Sequence, residues 1–153
     1  MKLLKYEKTW LAAAIDGEGC LSLFRSLNKQ YKRGFSYKPV LTIGNTTKAF
    51  CKQAKAICGF GVISIVMKTR LLKDHKRIGK PMYYWWVFST DLRKLLPIIE
   101  QYLVVRRKQA LYLIKALALL KGKGFKHTDL EEDKLTKLYL AMRELNRGGI
   151  LKR

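Results

Sequence analysis

Apolar and polar positions alternate across residues 19–45 and 61–89, and take up helical spacing through most of the remainder. In "GCLSLFRSLN" (19–28), Leu21, Leu23 and Leu27, with Arg25, share one face. Ser22, Phe24, Ser26 and Asn28 share the other, which is the two-residue period of a strand with one buried side. "SYKPVLTIGN" (36–45) repeats the pattern, opposing Lys38, Val40 and Thr42 to Pro39, Leu41 and Ile43. "GVISIVMKTR" (61–70) opens β-branched and turns basic at Lys68 and Arg70. "PMYYWWVFS" (81–89) is aromatic and strand-forming, beyond a loop at 71–80. Tyr84, Trp86 and Phe88 read as the packed side of this run, which leaves Tyr83 and Trp85 facing outward.

The helical segments fall around these strands. "TTKAFCKQAKAIC" (46–58) predicts a helix capped by Thr46 or Thr47 and ended by Gly59. Ser89 or Thr90 caps "DLRKLL", and Pro97 forces a break or a new first turn. "VVRRKQALYLIKALALLK" is a long helix stopped at Gly122. Thr128 with Glu131 spells a capping box ahead of "DLEEDKLTKLYLAMREL". With a further helix at the N-terminus, the order is helix, two strands, helix, two strands, helices. No repeat or low-complexity segment divides it, so the expectation is a single α+β domain over 1–153.

Charge changes the picture. The 153 residues hold 32 Lys+Arg against 11 Asp+Glu, a formal net charge of +21. Residues 20–90 carry fourteen of the basic residues and one acid, Asp74. A field of that sign implies a polyanionic partner: DNA, RNA or an acidic membrane surface. The most apolar stretch, Leu103–Leu120, contains Arg106, Arg107, Lys108 and Lys115, which excludes a membrane span. Glu7 and Lys8 interrupt the N-terminal apolar run, so no signal peptide is expected. Cys20, Cys51 and Cys58 form no C-x-x-C pair and make structural zinc an unfavoured reading. The expected location is intracellular, cytoplasm or organelle, rather than secreted.

Candidate chemistry lies in "LAAAIDGEG" (11–19), where Asp16 and Glu18 stand at the end of a helix. A helix C-terminus already exposes partial negative charge, so acids there work against stability. Asp-Gly is also a common turn dipeptide, and one acid alone would need no other explanation. Two acids at the entrance to a basic sheet fit a divalent cation better, since Mg²⁺ takes one or two carboxylates plus phosphate oxygens. Ala12, Ala13 and Ala14 either fill the core or give a small surface on which two helices approach closely.

The nine residues resemble the signature of the LAGLIDADG homing endonucleases, agreeing at Leu11, Ala12, Ile15, Asp16 and Gly19. Ala13 stands where the family more usually has Gly. The element order resembles the family's αββαββα core, over about residues 7–120, with a C-terminal helical extension at 121–153. The resemblance implies a four-stranded antiparallel DNA-binding sheet and, with one motif per chain, a homodimer packed on Leu11, Ala12, Ala13 and Ala14. It implies Glu18 as the metal-binding acid, the Gly17 carbonyl as a further ligand, and Asp16 as a turn-fixing residue bonded to backbone. It places Asn45 beside the metal as a water-ordering group and Arg106, or failing it Lys108, near the scissile phosphate. Mg²⁺ is the implied cofactor, with Mn²⁺ substituting and Ca²⁺ binding without supporting cleavage.

Face assignment supplies the expected DNA contacts: Ser22, Phe24, Ser26, Asn28, Gln30, Lys38, Val40, Thr42, Ser64, Lys68 and Arg70, joined by Tyr83 and Trp85. Phe24 and Val40 suggest apolar contact with thymine methyls. Lys121, Lys123 and Lys126 either touch phosphates or form a solvated loop. The expected function is an intron-encoded, Mg²⁺-dependent endonuclease that cuts double-stranded DNA at a long pseudo-palindromic site. The alternatives are an RNA maturase that binds intron RNA and a non-catalytic DNA-binding regulator.

Overall fold

The computed structural model describes residues 2–27, 29, 33–67, 69–71, 76–120 and 127–147, with 69–71 and 76–78 described by backbone alone. The chain opens with helix α1 (Lys5–Glu18), whose start is held by the Leu4 N–H donating to Glu7 Oε2 at 2.8 Å. Strands β1 (Gly19–Leu27) and β2 (Phe35–Asn45) follow, then α2 (Lys48–Cys58) and β3 (Val62–Val66). A short hairpin, β4 (Thr69–Leu71) and β5 (Lys76–Ile78), occupies part of the expected loop. After β6 (Met82–Phe88) come α3 (Ser89–Ile99), α4 (Arg107–Leu119) and α5 (Asp129–Arg147).

The main sheet is antiparallel, in the order β1-β2-β6-β3, and the helices bury one of its faces. Leu21 and Leu23, Leu41 and Ile43, and Trp85 and Val87 point into the core. They meet Leu11 and Ile15 of α1, Leu92, Leu95, Leu96 and Ile99 of α3, and Leu113 of α4. This is the α+β architecture and antiparallel sheet expected from the periodicity and the resemblance.

Register corrects the aromatic strand. Trp85 pairs with Ile43 on one side and Ile63 on the other, which commits its parity to the core face. It is fully buried, and its Nε1–H donates to the Phe60 carbonyl at 3.0 Å. Tyr83 shares that face and packs on the core. The outward residues are therefore Tyr84, Trp86 and Phe88, and both Trp85 and Tyr83 are removed from the DNA-contact set. The space for the indole is made at Gly61, where a Cβ would lie 2.2 Å from Trp85 Nε1.

Two helix boundaries also differ from expectation. Pro97 does not break α3, which runs to Ile99 and closes in a 3₁₀ turn at Glu100–Tyr102. A mid-helix proline costs about 3 kcal/mol. Four fully buried aliphatic side chains on this helix, each contributing roughly 1.5–3 kcal/mol, outweigh it. The long helix starts at Arg107, not Val104, and the backbone N–H groups of Val104 and Arg106 ahead of it are bonded to another element.

A candidate metal and nucleic-acid site at the end of α1

The partners of those two N–H groups explain one of the two acids. Val104 donates to Asp16 Oδ2 at 2.7 Å and Arg106 to Asp16 Oδ1 at 2.8 Å. Asp16 opposes the dipole of its own helix, but it sits at the N-terminal end of α4, where negative charge is favoured and four N–H groups need acceptors. It bonds backbone as expected, but across 88 to 90 residues of chain and not within its own turn. The α-helix itself continues through Asp16 and Gly17 to Glu18.

The same junction fixes Arg106. Its Nε–H donates to the Ile15 carbonyl at 3.2 Å, so the guanidinium lies against the last turn of α1. Gly19 closes the helix by donating its N–H to that same carbonyl. A Cβ at position 19 would fall 2.5 Å from the Ile15 oxygen, which reserves the position for glycine. Lys108, on the first turn of α4, is exposed, while the adjacent Arg107 is tied to Glu100 at 3.2 Å.

Glu18 differs from Asp16 in every respect that matters for a ligand. It is exposed, and among the described residues no hydrogen bond or ion pair engages its carboxylate. The Gly17 carbonyl belongs to the last four of the helix, which have no donor four residues on. Both are hard oxygen donors, of the kind that suits Mg²⁺ or Ca²⁺ rather than a softer metal. One carboxylate per chain leaves most positions to water, phosphate or a second copy, and no group of three or more His, Cys, Asp or Glu gathers among the described residues.

Asn45 ends β2 two residues beyond Ile43, the partner of Gly19, and so lies at the same end of the sheet as Glu18. Its Oδ1 accepts the Thr47 N–H at 2.8 Å, a turn that leads into α2. What Asn45 presents outward is therefore its amide N–H₂, a donor.

The dimer residues separate. Leu11, Ala12 and Ala14 are buried within the subunit (0%, 2% and 5% exposed), and so belong to the core and not to an interface. Ala13 alone of the four is exposed. It lines an open apolar groove along α1 with Leu4, Tyr6, Thr9 and Trp10. One turn further on, a Cβ at Gly17 would meet nothing within 4 Å, so the subunit's own packing does not demand glycine there.

On the outward face of the sheet, register groups Ser22, Phe24 and Ser26 with Lys38, Val40 and Thr42 and with Ser64. Phe24 and Lys38 are exposed, and Ser22, Ser26 and Thr42 half-buried. Val40 has the expected parity but is only 5% exposed, between Ser22 and Phe88 in register, so it is not available for contact. Ser64 accepts the Trp86 Nε1–H at 2.8 Å. Aromatic residues occupy both parities of β6, so its residues alone do not mark Tyr84, Trp86 and Phe88 as the outward set. Asn28, Gln30, Lys68, Lys121, Lys123, Lys126 and the side chain of Arg70 lie outside the described residues. Arg33, one of the basic residues of this region, is not a free cation. Its Nε lies 2.6 Å from Glu132 and its Nη2 3.0 Å from Asp133, and the Asp133 hydrogen bond raises its pKa.

No protein-family model matches the sequence, and no curated protein matches it. Solved structures do. The homing endonuclease I-TnaI is 18% identical, with 95% of this chain and 96% of that one covered and a TM-score of 0.67. The group I intron-encoded homing endonuclease I-CeuI, complexed with DNA, is 19% identical over 94% and 69% of the two chains, at 0.70. The I-SmaMI LAGLIDADG homing endonuclease, bound to cleaved DNA, is 21% identical over 90% of this chain and 43% of that one, at 0.66. The chain has the fold of the LAGLIDADG homing endonucleases.

Proposed function

We propose that the protein is a site-specific DNA endonuclease that acts as a homodimer, with Glu18 of each copy holding a divalent cation. The observation that carries this reading is the contrast between two acids two residues apart. Asp16 is consumed in fastening α4, whereas Glu18 is exposed beside a helix-end carbonyl at the mouth of the sheet. A carboxylate placed there repels phosphate unless a cation intervenes.

Glu18 and the Gly17 carbonyl would hold the metal, and Mg²⁺ is the ion their hard oxygens suit best. When bound, it would supply Lewis-acid stabilisation of charge at the phosphate and acidify water. The chain's own groups do the rest. Arg106, braced against Ile15, holds positive charge beside the helix end, where charge on a phosphate in displacement would be stabilised. Asn45 offers donors that orient water or a phosphate oxygen. Ala13 and Gly17 form the small face on which a second copy would pack, bringing two Glu18 side chains to one axis. The strongly positive chain, +21 overall, binds the duplex backbone.

The test is incubation with duplex DNA carrying candidate intron-insertion sites, with Mg²⁺ or with EDTA. Double-strand cutting that requires the metal, and that Glu18→Gln lowers at least about a hundredfold while DNA affinity holds, is the expected result. Cutting by Glu18→Gln at the wild-type rate would overturn the metal assignment. Binding of intron RNA with no cutting of any duplex would replace the nuclease reading with the maturase one.

A further inference from the structure

Among the described residues, the paired positions on the outward face of the four-stranded sheet carry little charge for so basic a chain, and Arg143, Asn146 and Arg147 of α5 border them beside Ser22 and Phe24. Its paired positions run Cys20, Ser22, Phe24 and Ser26 on β1, and Ser36, Lys38, Val40, Thr42 and Gly44 on β2. Met82, Tyr84, Trp86 and Phe88 follow on β6, then Val62, Ser64 and Val66 on β3. Lys38 is the one ionic side chain among these described residues. Arg, Asn and Gln, which read guanine and adenine through paired hydrogen bonds, are absent from them.

What the face offers instead is apolar surface set among hydroxyls. Phe24 is 50% exposed, Phe88 51%, Val62 56% and Val66 41%. The aromatic row is pre-positioned: Tyr84 and Trp86 have ring centroids 5.9 Å apart, Trp86 and Phe88 6.5 Å apart with planes 7° from parallel. Ser64 pins the Trp86 indole. Apolar side chains distinguish base pairs in the major groove chiefly through the thymine C5-methyl group, while Ser and Thr accept or donate to any edge.

We infer that this face reads thymine methyl groups, with A·T pairs in each half-site set so that a methyl meets Phe24 and another meets Phe88. The inference rests on the duplex-nuclease reading and adds to it the class of sequence preferred. Phosphate affinity then comes from outside this face, and selectivity within it from methyls and hydroxyls. Removing one methyl that packs against a ring should weaken binding about fourfold, the effect of exposing one buried methylene-sized group.

The experiment is selection of bound duplexes from a randomised pool by the whole protein, followed by resynthesis of the enriched site with deoxyuridine at each thymine in turn. Uracil pairs as thymine does and lacks only the methyl. The expected profile is flat except at a few thymines per half-site, each losing about fourfold. At one of these, Phe24→Ala should bind thymine and uracil equally, and Phe88→Ala should do so at another. Both rings are half exposed, and matching melting curves verify the fold of each variant. An enriched duplex whose uracil profile is flat throughout would overturn the inference and leave the nuclease reading standing. Uracil-sensitive positions that neither variant alters would also overturn it. Enrichment of no duplex, or preference for a single-stranded pool, would overturn both.

Discussion

Asp16 and Glu18 are two residues apart in one helical turn, and their surroundings assign them different work. Asp16 accepts two backbone N–H groups, and hydrogen bonds to a charged acceptor are worth about 1.5–3 kcal/mol each before the loss is softened by water. Asp16→Ala should therefore lower the unfolding free energy by roughly 2–4 kcal/mol, measured by urea titration. Glu18→Ala, at an exposed position without partners among the described residues, should change it by less than about 0.5 kcal/mol. Equal stability losses would show that the two carboxylates are not divided in this way. The thiols divide by burial. Burial pushes the Cys58 thiol up to about 12, with Glu7 and Asp91 adding to the effect, and raises Cys51 as well. Because the folded pKa lies above the unfolded value near 9, the contribution is intact below pH 9 and is lost as pH rises toward 12. Urea midpoints should fall across that range, and less steeply in Cys58→Ala. A thiol reagent at neutral pH should modify only Cys20, the exposed one, until the chain unfolds.

Among the elements, β6 shows where a sequence pattern stops being sufficient. Leu21 and Leu23 of β1 alternate with Ser22 and Phe24, so these faces are legible from residues alone and burial bears them out, whereas Leu27, of the inward parity, is 93% exposed at the strand's end. In "MYYWWVF" every position is apolar or aromatic, and nothing local says which parity is buried. Pairing with Ile43 and Ile63 decides it, and that pairing is a tertiary fact. For α1 more could have been read: Leu11, Ala12, Ala14 and Ile15 follow the spacing of one buried helix face, which leaves Ala13 outside. The bond from Asp16 to residues 104 and 106 had no local signal at all. Gly61 and Gly59 test the account of β6. Both have positive φ, +87° and +76°, but a Cβ at 61 would strike the Trp85 indole and the Trp86 carbonyl, and at 59 it meets open space. Gly59→Ala should cost about 1–2 kcal/mol, the left-handed penalty alone. Gly61→Ala should cost at least about 2 kcal/mol more, with red-shifted or broadened Trp fluorescence as the indole is displaced from its buried site. Similar costs at both sites would mean that Gly61 does not make the room for Trp85.

At the scale of the whole molecule, the proposed function needs two copies, since one chain supplies one exposed carboxylate to the metal. The face left for the second copy is narrow: Ala13, with Tyr6, Thr9 and Trp10 beside it and Gly17 one turn on. Small residues there allow helices to approach closely, and a branched side chain would hold them apart. Ala13 is exposed in the subunit, so Ala13→Leu should leave the fold intact and act on association alone. Sedimentation should give a dimer for the wild-type chain and a monomer for Ala13→Leu, with melting temperatures of the two alike at low protein concentration. DNA binding supplies an independent readout of the same change. If each subunit neutralises about five phosphates, log K for the dimer falls with log salt at a slope near −9, and for the monomer near −4.5. Cleavage should become single-strand nicking or cease, because each half-site now loads alone. An Ala13→Leu protein that sediments as a dimer, with an undiminished salt slope, would place the interface on another face and part Glu18 from its counterpart.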